Sequence, residues 1–141
     1  ELIQLLKTDH PDYFVEIETN GTKIPQPSLD AVIDQYNVSV KLSNSGNPTS
    51  LRLKESALAF FSQSPKSNFK FVIATPEDLN EVEQLRSDFK ISGDKIILMP
   101  LGTDESALTR RESWLVDICK DRNYRFTDRM HIRLYGNKRG V

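Results

Sequence analysis

The chain has 141 residues and a formal net charge of -1, with 38% hydrophobic and 28% charged residues. That is the size and balance of one globular domain, able to bury roughly two-thirds of its unfolded surface, and it excludes a disordered tail or a collagen-like repeat. No run approaches the ~20 apolar residues of a membrane-spanning helix, and one cysteine, Cys119, excludes both an internal disulfide framework and a cysteine-based zinc site.

The sequence opens on Glu1 inside an amphipathic stretch, Glu1–Lys7, with no capping residue before it. This predicts that the 141 residues are part of a longer chain. Tyr13–Ile17 then reads as a short strand of aromatic and β-branched residues that ends toward the turn pair Asn20-Gly21. Ser28 could cap a short helix through Ile33. Val38–Leu42 is a second strand, followed by a loop with Asn44, Ser45, Gly46, Asn47 and Pro48. Leu51–Phe61 places Leu53, Ala57 and Phe60 on one helical face, and Phe69–Ile73 is a third strand.

Thr75-Pro76-Glu77-Asp78 predicts a helix start, with a threonine cap, proline in the first turn and acids at the positive end of the dipole. Leu79, Val82, Leu85 and Phe89 follow at helical spacing. Lys95–Met99 is a fourth strand ending at Pro100, and Thr103 or Asp104 caps a longer helix with Leu108, Leu115, Ile118 and Cys119 inward. His131–Tyr135 alternates polar with apolar residues and predicts a fifth, edge strand. Strands recurring every ~25–35 residues with helices between them indicate parallel βαβ units in a single α/β domain. An open doubly wound sheet and a partial barrel with helices outside both fit. In either, ligands gather at the C-terminal strand ends.

Those ends carry uncommon polar residues. Glu18-Thr19-Asn20-Gly21-Thr22 follows the first strand. It is either an ordinary turn or a place where Thr19 and Asn20 face a ligand while Gly21 permits close backbone approach. The second strand runs through Ser39-Val40-Lys41 into Ser43, Asn44, Ser45 and Gly46. A lysine there either reaches the rim or meets an anion. Met99-Pro100-Leu101-Gly102 leads into Thr103 and Asp104, a loop suited to backbone contacts with a planar ring. From Lys120 to the end, seven Lys or Arg stand against two Asp. This basic end is either a solvated edge or a surface for an anionic partner. His131 has no metal-ligating companion at motif spacing, and the P-loop, Gly-x-Ser-x-Gly and Gly-x-Gly-x-x-Gly signatures are absent.

The ordered set Glu18-Thr19-Asn20-Gly21-Thr22, Ser39–Gly46 and His131–Gly140, with Phe69–Val72 and Leu98–Asp104 between, resembles the 7-carboxy-7-deazaguanine synthases of queuosine and deazapurine biosynthesis. These are radical S-adenosylmethionine enzymes. The resemblance implies a partial (βα) barrel and a lyase that contracts the ring of 6-carboxy-5,6,7,8-tetrahydropterin with loss of ammonia. It also implies S-adenosylmethionine, a [4Fe-4S] cluster and Mg2+ as cofactors of the full-length parent, and pairing as a homodimer; the single cysteine fits a cytoplasmic location. Because the family's CxxxCxxC cluster loop is absent, the resemblance implies that the chain is a C-terminal portion, inactive alone and holding no metal itself.

Carried over where the motifs match, Thr19 and the chain end, Val141, would touch the pterin substrate. Gly21, then Ser39, Val40 and Lys41, then Met99, Pro100, Leu101 and Gly102, would contact S-adenosylmethionine. Val40 replaces the family's proline and Met99 its glutamine, which leaves backbone contacts at both places. Catalytic acids and bases are not identified by the motifs. Two other readings stand beside this one: an activating-enzyme fragment for a glycyl-radical enzyme or ribonucleotide reductase, and a non-catalytic α/β module gripping nucleic acid through its basic tail. The last requires exposed aromatic side chains among the basic ones, from Tyr124, Phe126 and Tyr135.

Overall fold

The computed structural model describes residues 2–138 and 140. In chain order its elements are α1 (Leu2–Asp9), β1 (Glu16–Thr19), α2 (Pro27–Asp30), β2 (Gln35–Ser39), α3 (Thr49–Arg52), α4 (Glu55–Gln63), β3 (Ser67–Ile73), α5 (Asp78–Asp88), β4 (Ile96–Pro100), α6 (Glu105–Arg122), β5 (Arg125–Phe126) and α7 (Met130–Tyr135). The five strands form one parallel sheet in the order β1-β2-β3-β4-β5. Each crossover therefore steps in the same direction, and right-handed crossovers then place the connecting helices on one face. This is the winding of a partial (βα) barrel, whereas a doubly wound sheet reverses its strand order.

The two faces of the sheet differ as that winding requires. Along β3, Ser67, Phe69, Phe71 and Ile73 are buried, while Asn68, Lys70 and Val72 alternate onto a more open face. The buried face joins Tyr36, Val38, Ile96 and Leu98 to Leu58 and Phe61 of α4, Val82 and Leu85 of α5, and Leu115 of α6. Tyr36 meets Phe61 edge-on with ring centroids 5.3 Å apart. Burying such side chains supplies most of the stabilisation, at roughly 25 cal/mol per Å².

The opposite face is a polar lattice. Gln35 donates to Glu16 at 2.7 Å and to Asn37 at 3.1 Å, Lys70 reaches across β2 to both oxygens of Glu18 at 2.8 and 2.9 Å, and Arg125 donates to Asn68. Under a second helical layer these groups would be costly to desolvate.

Several boundaries depart from the sequence expectations. The first strand starts at Glu16 and not at Tyr13, since Tyr13 and Phe14 are exposed ahead of it. The second covers Gln35–Ser39, with Val40 and Leu42 buried just past its end. The expected helix over Leu51–Phe61 is two helices, because Leu53 and Lys54 are extended between α3 and α4. Thr75 does not cap α5. The Asp78 carboxylate instead accepts from the backbone N–H groups of Ala74 and Thr75, at 2.7 and 3.0 Å. Asp104 does cap α6, accepting from Ala107 N–H at 2.8 Å.

The expected fifth strand, His131–Tyr135, is the helix α7, and the fifth strand is Arg125–Phe126. Ile132 is buried but Leu134 is 64% exposed, so the segment has no second apolar position to bury as a strand. Arg133 pairs with Asp128 and Glu112, fastening the helix to α6.

Candidate ligand-binding site

Two adjoining cavities open at the C-terminal ends of the strands. The larger, about 380 Å³, is lined by Ser39, Val40 and Lys41 past β2, by Lys70 and Val72 of β3, by Met99 and Leu101 at β4, and by Arg129 ahead of α7; Leu42, Asn44, Ser45 and Asn47 complete it. The smaller, about 200 Å³, is lined by Asn20, Thr22, Lys41, Asn47, Leu51 and Arg52. Lys41 and Asn47 belong to both. A volume of several hundred Å³ with an apolar wall and a few convergent polar groups suits a small molecule.

The loop after β2 is held in place by acids on α5. Asn44 donates at 2.9 Å to both Val72 O and Asp78, and Ser43 N–H donates to Glu81 at 2.8 Å. Gly46, at φ +71°, closes the short 3-10 turn Ser43–Ser45. The buried Arg52 donates to Lys41 O at 3.1 Å and pairs with Glu81. Burial pushes the Glu81 carboxyl up, but Ser43 N–H and the Arg52 guanidinium outweigh it and hold it below its usual range. The backbone that carries Lys41 is thus fixed from below, while its ammonium is exposed and donates to Ser39 Oγ at 3.3 Å.

The structure brings together Ser39, Val40, Lys41, Met99 and Leu101 from the sequence analysis. Val40 is buried and meets the cavity at the strand edge. Pro100 and Gly102 lie behind the wall. Gly102 is buried, and a Cβ there would stand 2.7 Å from Leu108 Cδ2, so glycine is set by the packing of α6.

Thr19 and Gly21 do not join this group. Thr19 is in register with the buried Val38, on the helix side of β1, and its Oγ1 accepts from Gly21 N–H at 3.2 Å. Gly21 sits at φ +72°, where a Cβ would lie 2.7 Å from Val38 Cγ1. Their neighbours Asn20 and Thr22 carry that loop's contribution, to the smaller cavity. Val141 lies outside the described residues.

Lys70, Arg52 and Arg129 were not singled out by sequence reasoning. Lys70 carried a usable signal, being a cation at an alternate position in an apolar strand. Arg129 had no such signal, since it reaches the cavity from a loop far along the chain. Cys119 is buried in α6, and burial pushes its thiol up to about 11, the opposite of what a metal-ligating thiolate requires. Among the described residues no group of three or more His, Cys, Asp or Glu is placed to hold a metal ion, and no helix is long and apolar enough to cross a membrane.

Three cations of the basic C-terminal end pair with acids within the fold. Arg122 meets Glu83 at 2.7 Å, Arg133 meets Glu112 at 2.5 Å, and Lys120 meets Asp117 at 3.2 Å. Tyr124 is buried with its hydroxyl on Glu83, and Phe126 is partly buried against the core. Tyr135, at 51%, is exposed. Among the described residues, Tyr135 is thus the exposed one of these three aromatics, fewer than the row of stacking rings that a single-stranded nucleic acid uses.

No protein-family model matches the chain. The chain is similar to a 7-carboxy-7-deazaguanine synthase from Pyrobaculum aerophilum, with 38% identity over 128 residues covering 89% of this chain and 54% of that protein. A 7-carboxy-7-deazaguanine synthase from Halobacterium salinarum is 29% identical over 147 residues, covering 89% of this chain and 55% of its own length. One from Rhodopirellula baltica is 35% identical over 72 residues, covering 51% and 28%. The chain spans about half the length of the first two relatives. Across most of its own length, the sequence is homologous to the 7-carboxy-7-deazaguanine synthases.

Proposed function

We propose that this chain forms the S-adenosylmethionine- and pterin-facing wall of a 7-carboxy-7-deazaguanine synthase. The full-length protein would convert 6-carboxy-5,6,7,8-tetrahydropterin to 7-carboxy-7-deazaguanine by ring contraction with loss of ammonia. The observation that carries this reading is the larger cavity. It joins Ser39, Lys41, Met99 and Leu101 at the mouth of a barrel-wound sheet, and these are the positions the family motifs mark for the cofactor. Similarity to three proteins bearing that name supports it.

In this reading S-adenosylmethionine supplies the radical that begins the reaction, and the chain's own residues bind and orient. Lys41 and Ser39 offer charge and a hydroxyl to a polar group. Met99, Leu101 and Val72 offer an apolar wall to a ring. Val40 and the β4 loop offer backbone groups. Fixing two reactants in one geometry while excluding water is the contribution such a wall can make. Cys119, one buried thiol held protonated, does not fit an iron–sulfur cluster, and among the described residues no group of three or more His, Cys, Asp or Glu is placed for a metal ion; the proposal places cluster and magnesium on other parts of the full-length protein. Pairing as a homodimer is part of the same proposal.

The test is the full-length protein, reconstituted anaerobically with iron and sulfide. Given S-adenosylmethionine, magnesium and the carboxytetrahydropterin, it should release 5′-deoxyadenosine and the carboxydeazaguanine product. Failure to form 5′-deoxyadenosine overturns the assignment.

A further inference from the structure

The larger cavity holds three cations and no carboxylate among its lining residues. They are not equivalent. Lys70 is occupied by both oxygens of Glu18, at 2.8 and 2.9 Å. Lys41 donates to the neutral Ser39 hydroxyl alone. Arg129 donates from Nη1 to Gly102 O at 2.8 Å, and its Nε, though shielded from solvent, meets no acceptor. Among the described residues neither Lys41 nor Arg129 has an anionic partner. Two uncompensated cations from distant parts of the sequence line one small cavity, together with the apolar side chains of Val72, Met99 and Leu101. A buried guanidinium donor without a partner is costly, and a carboxylate would satisfy it.

We infer that Arg129 and Lys41 form a carboxylate-binding pair at this cavity, with the ligand's apolar or planar part laid on Met99 and Val72. Arg129 does a second thing at the same time. Its Nη1 contact ties the β4 loop at Gly102 to the segment before α7, so the group that grips the anion also fixes the backbone the ligand packs on. This rests on the reading of the cavity as a ligand site given above and adds a residue and a chemical class to it. The carboxylate could be that of S-adenosylmethionine or that of the pterin acid, and the probes are chosen to separate the two.

Binding to the full-length protein is measured by calorimetry for two matched pairs: S-adenosylmethionine with decarboxylated S-adenosylmethionine, and 6-carboxypterin with pterin. In each pair the second member lacks the carboxylate. In Arg129→Gln, the carboxylated member of one pair is expected to lose at least about tenfold in affinity, while its partner is unchanged. Arg129→Lys, which keeps the charge, should recover part of the loss. The pair that responds identifies the ligand. If the unsubstituted protein binds the probes and R129Q lowers both members equally, or neither, the carboxylate pair is wrong and the cavity reading stands. If the unsubstituted protein binds none of the four, both fall.

Discussion

Arg52 holds Lys41 by its backbone and not by its side chain: Nη1 donates to Lys41 O at 3.1 Å while the same guanidinium pairs with Glu81 on α5. The charged end of Lys41 is left exposed between the two cavities. A rim lysine with a free backbone could turn to any anion in reach. This one has its Cα fixed by a buried ion pair, so its ammonium samples the region over Ser39.

The first prediction follows from that placement. Lys41→Ala in the full-length protein should weaken S-adenosylmethionine binding by about tenfold or more, the usual size for losing a hydrogen bond to a charged group. Calorimetry or equilibrium dialysis reads this directly. An unchanged dissociation constant would return Lys41 to the role of a solvated edge residue.

The support beneath Lys41 gives a second prediction, with a definite sign in pH. The folded Glu81 carboxyl lies below its usual range, because Ser43 N–H and Arg52 outweigh burial. A group depressed in the folded state contributes stability that is present above its unfolded value, about 4.3, and is lost as pH falls through the folded one. Glu81→Gln should therefore flatten the fall in unfolding free energy between neutral and acid pH. At neutral pH it should destabilise the chain by about 3 kcal/mol, since Arg52 is left buried without its partner. Urea titrations at several pH values check both. Parallel curves for the two proteins would mean that the pair contributes nothing through titration.

How far the sequence foretold this arrangement depends on which face of the sheet a residue occupies. β3 and β4 were legible because their helix-side residues, Phe69, Phe71, Ile96 and Leu98, are strongly apolar. β1 and β2 were misplaced by about one turn's length because Glu16, Glu18, Gln35 and Asn37 belong to a polar lattice that hydropathy reads as loop. β5 has two residues, too few for any pattern, and α7 has one buried side chain, so alternation and helical spacing could not be told apart there. At the site, the matched motifs led to Ser39, Lys41 and Met99. Arg129 and Arg52 were invisible because their roles come from tertiary contacts with Gly102 O and Lys41 O. Thr19 and Gly21 lie on a strand end as expected, but the alternation of β1 turns Thr19 to the helix side.

Gly21 supplies the third prediction. Any side chain there meets two penalties, a left-handed backbone at φ +72° and a Cβ 2.7 Å from Val38 Cγ1. Gly21→Ala should cost about 1–2 kcal/mol for the backbone and about 1–3 kcal/mol more for the overlap. The double variant G21A/V38A separates them, since it removes the overlap but leaves the backbone term and adds a cavity. Denaturant midpoints for the single and double variants, compared with V38A alone, should show G21A costing less in the V38A background. Equal costs in both backgrounds would show that the overlap is relieved by a small shift of the loop.

The last prediction concerns the one thiol. Cys119 sits on the inner side of α6 with its Sγ 3.6 Å from Arg125 O, and burial raises its pKa to about 11. At neutral pH it is a buried thiol and a poor nucleophile, because thiolate is the reactive form. Ellman's reagent should therefore modify the folded chain slowly and the urea-unfolded chain at once, and a native rate that tracks unfolding would show that opening of α6 limits the reaction. Cys119→Ala should leave S-adenosylmethionine affinity unchanged in the full-length protein while lowering stability by about 1 kcal/mol, as expected for a small buried side chain. Rapid native labelling, or loss of cofactor binding in C119A, would mean that the thiol reaches the site and would overturn its assignment to the core.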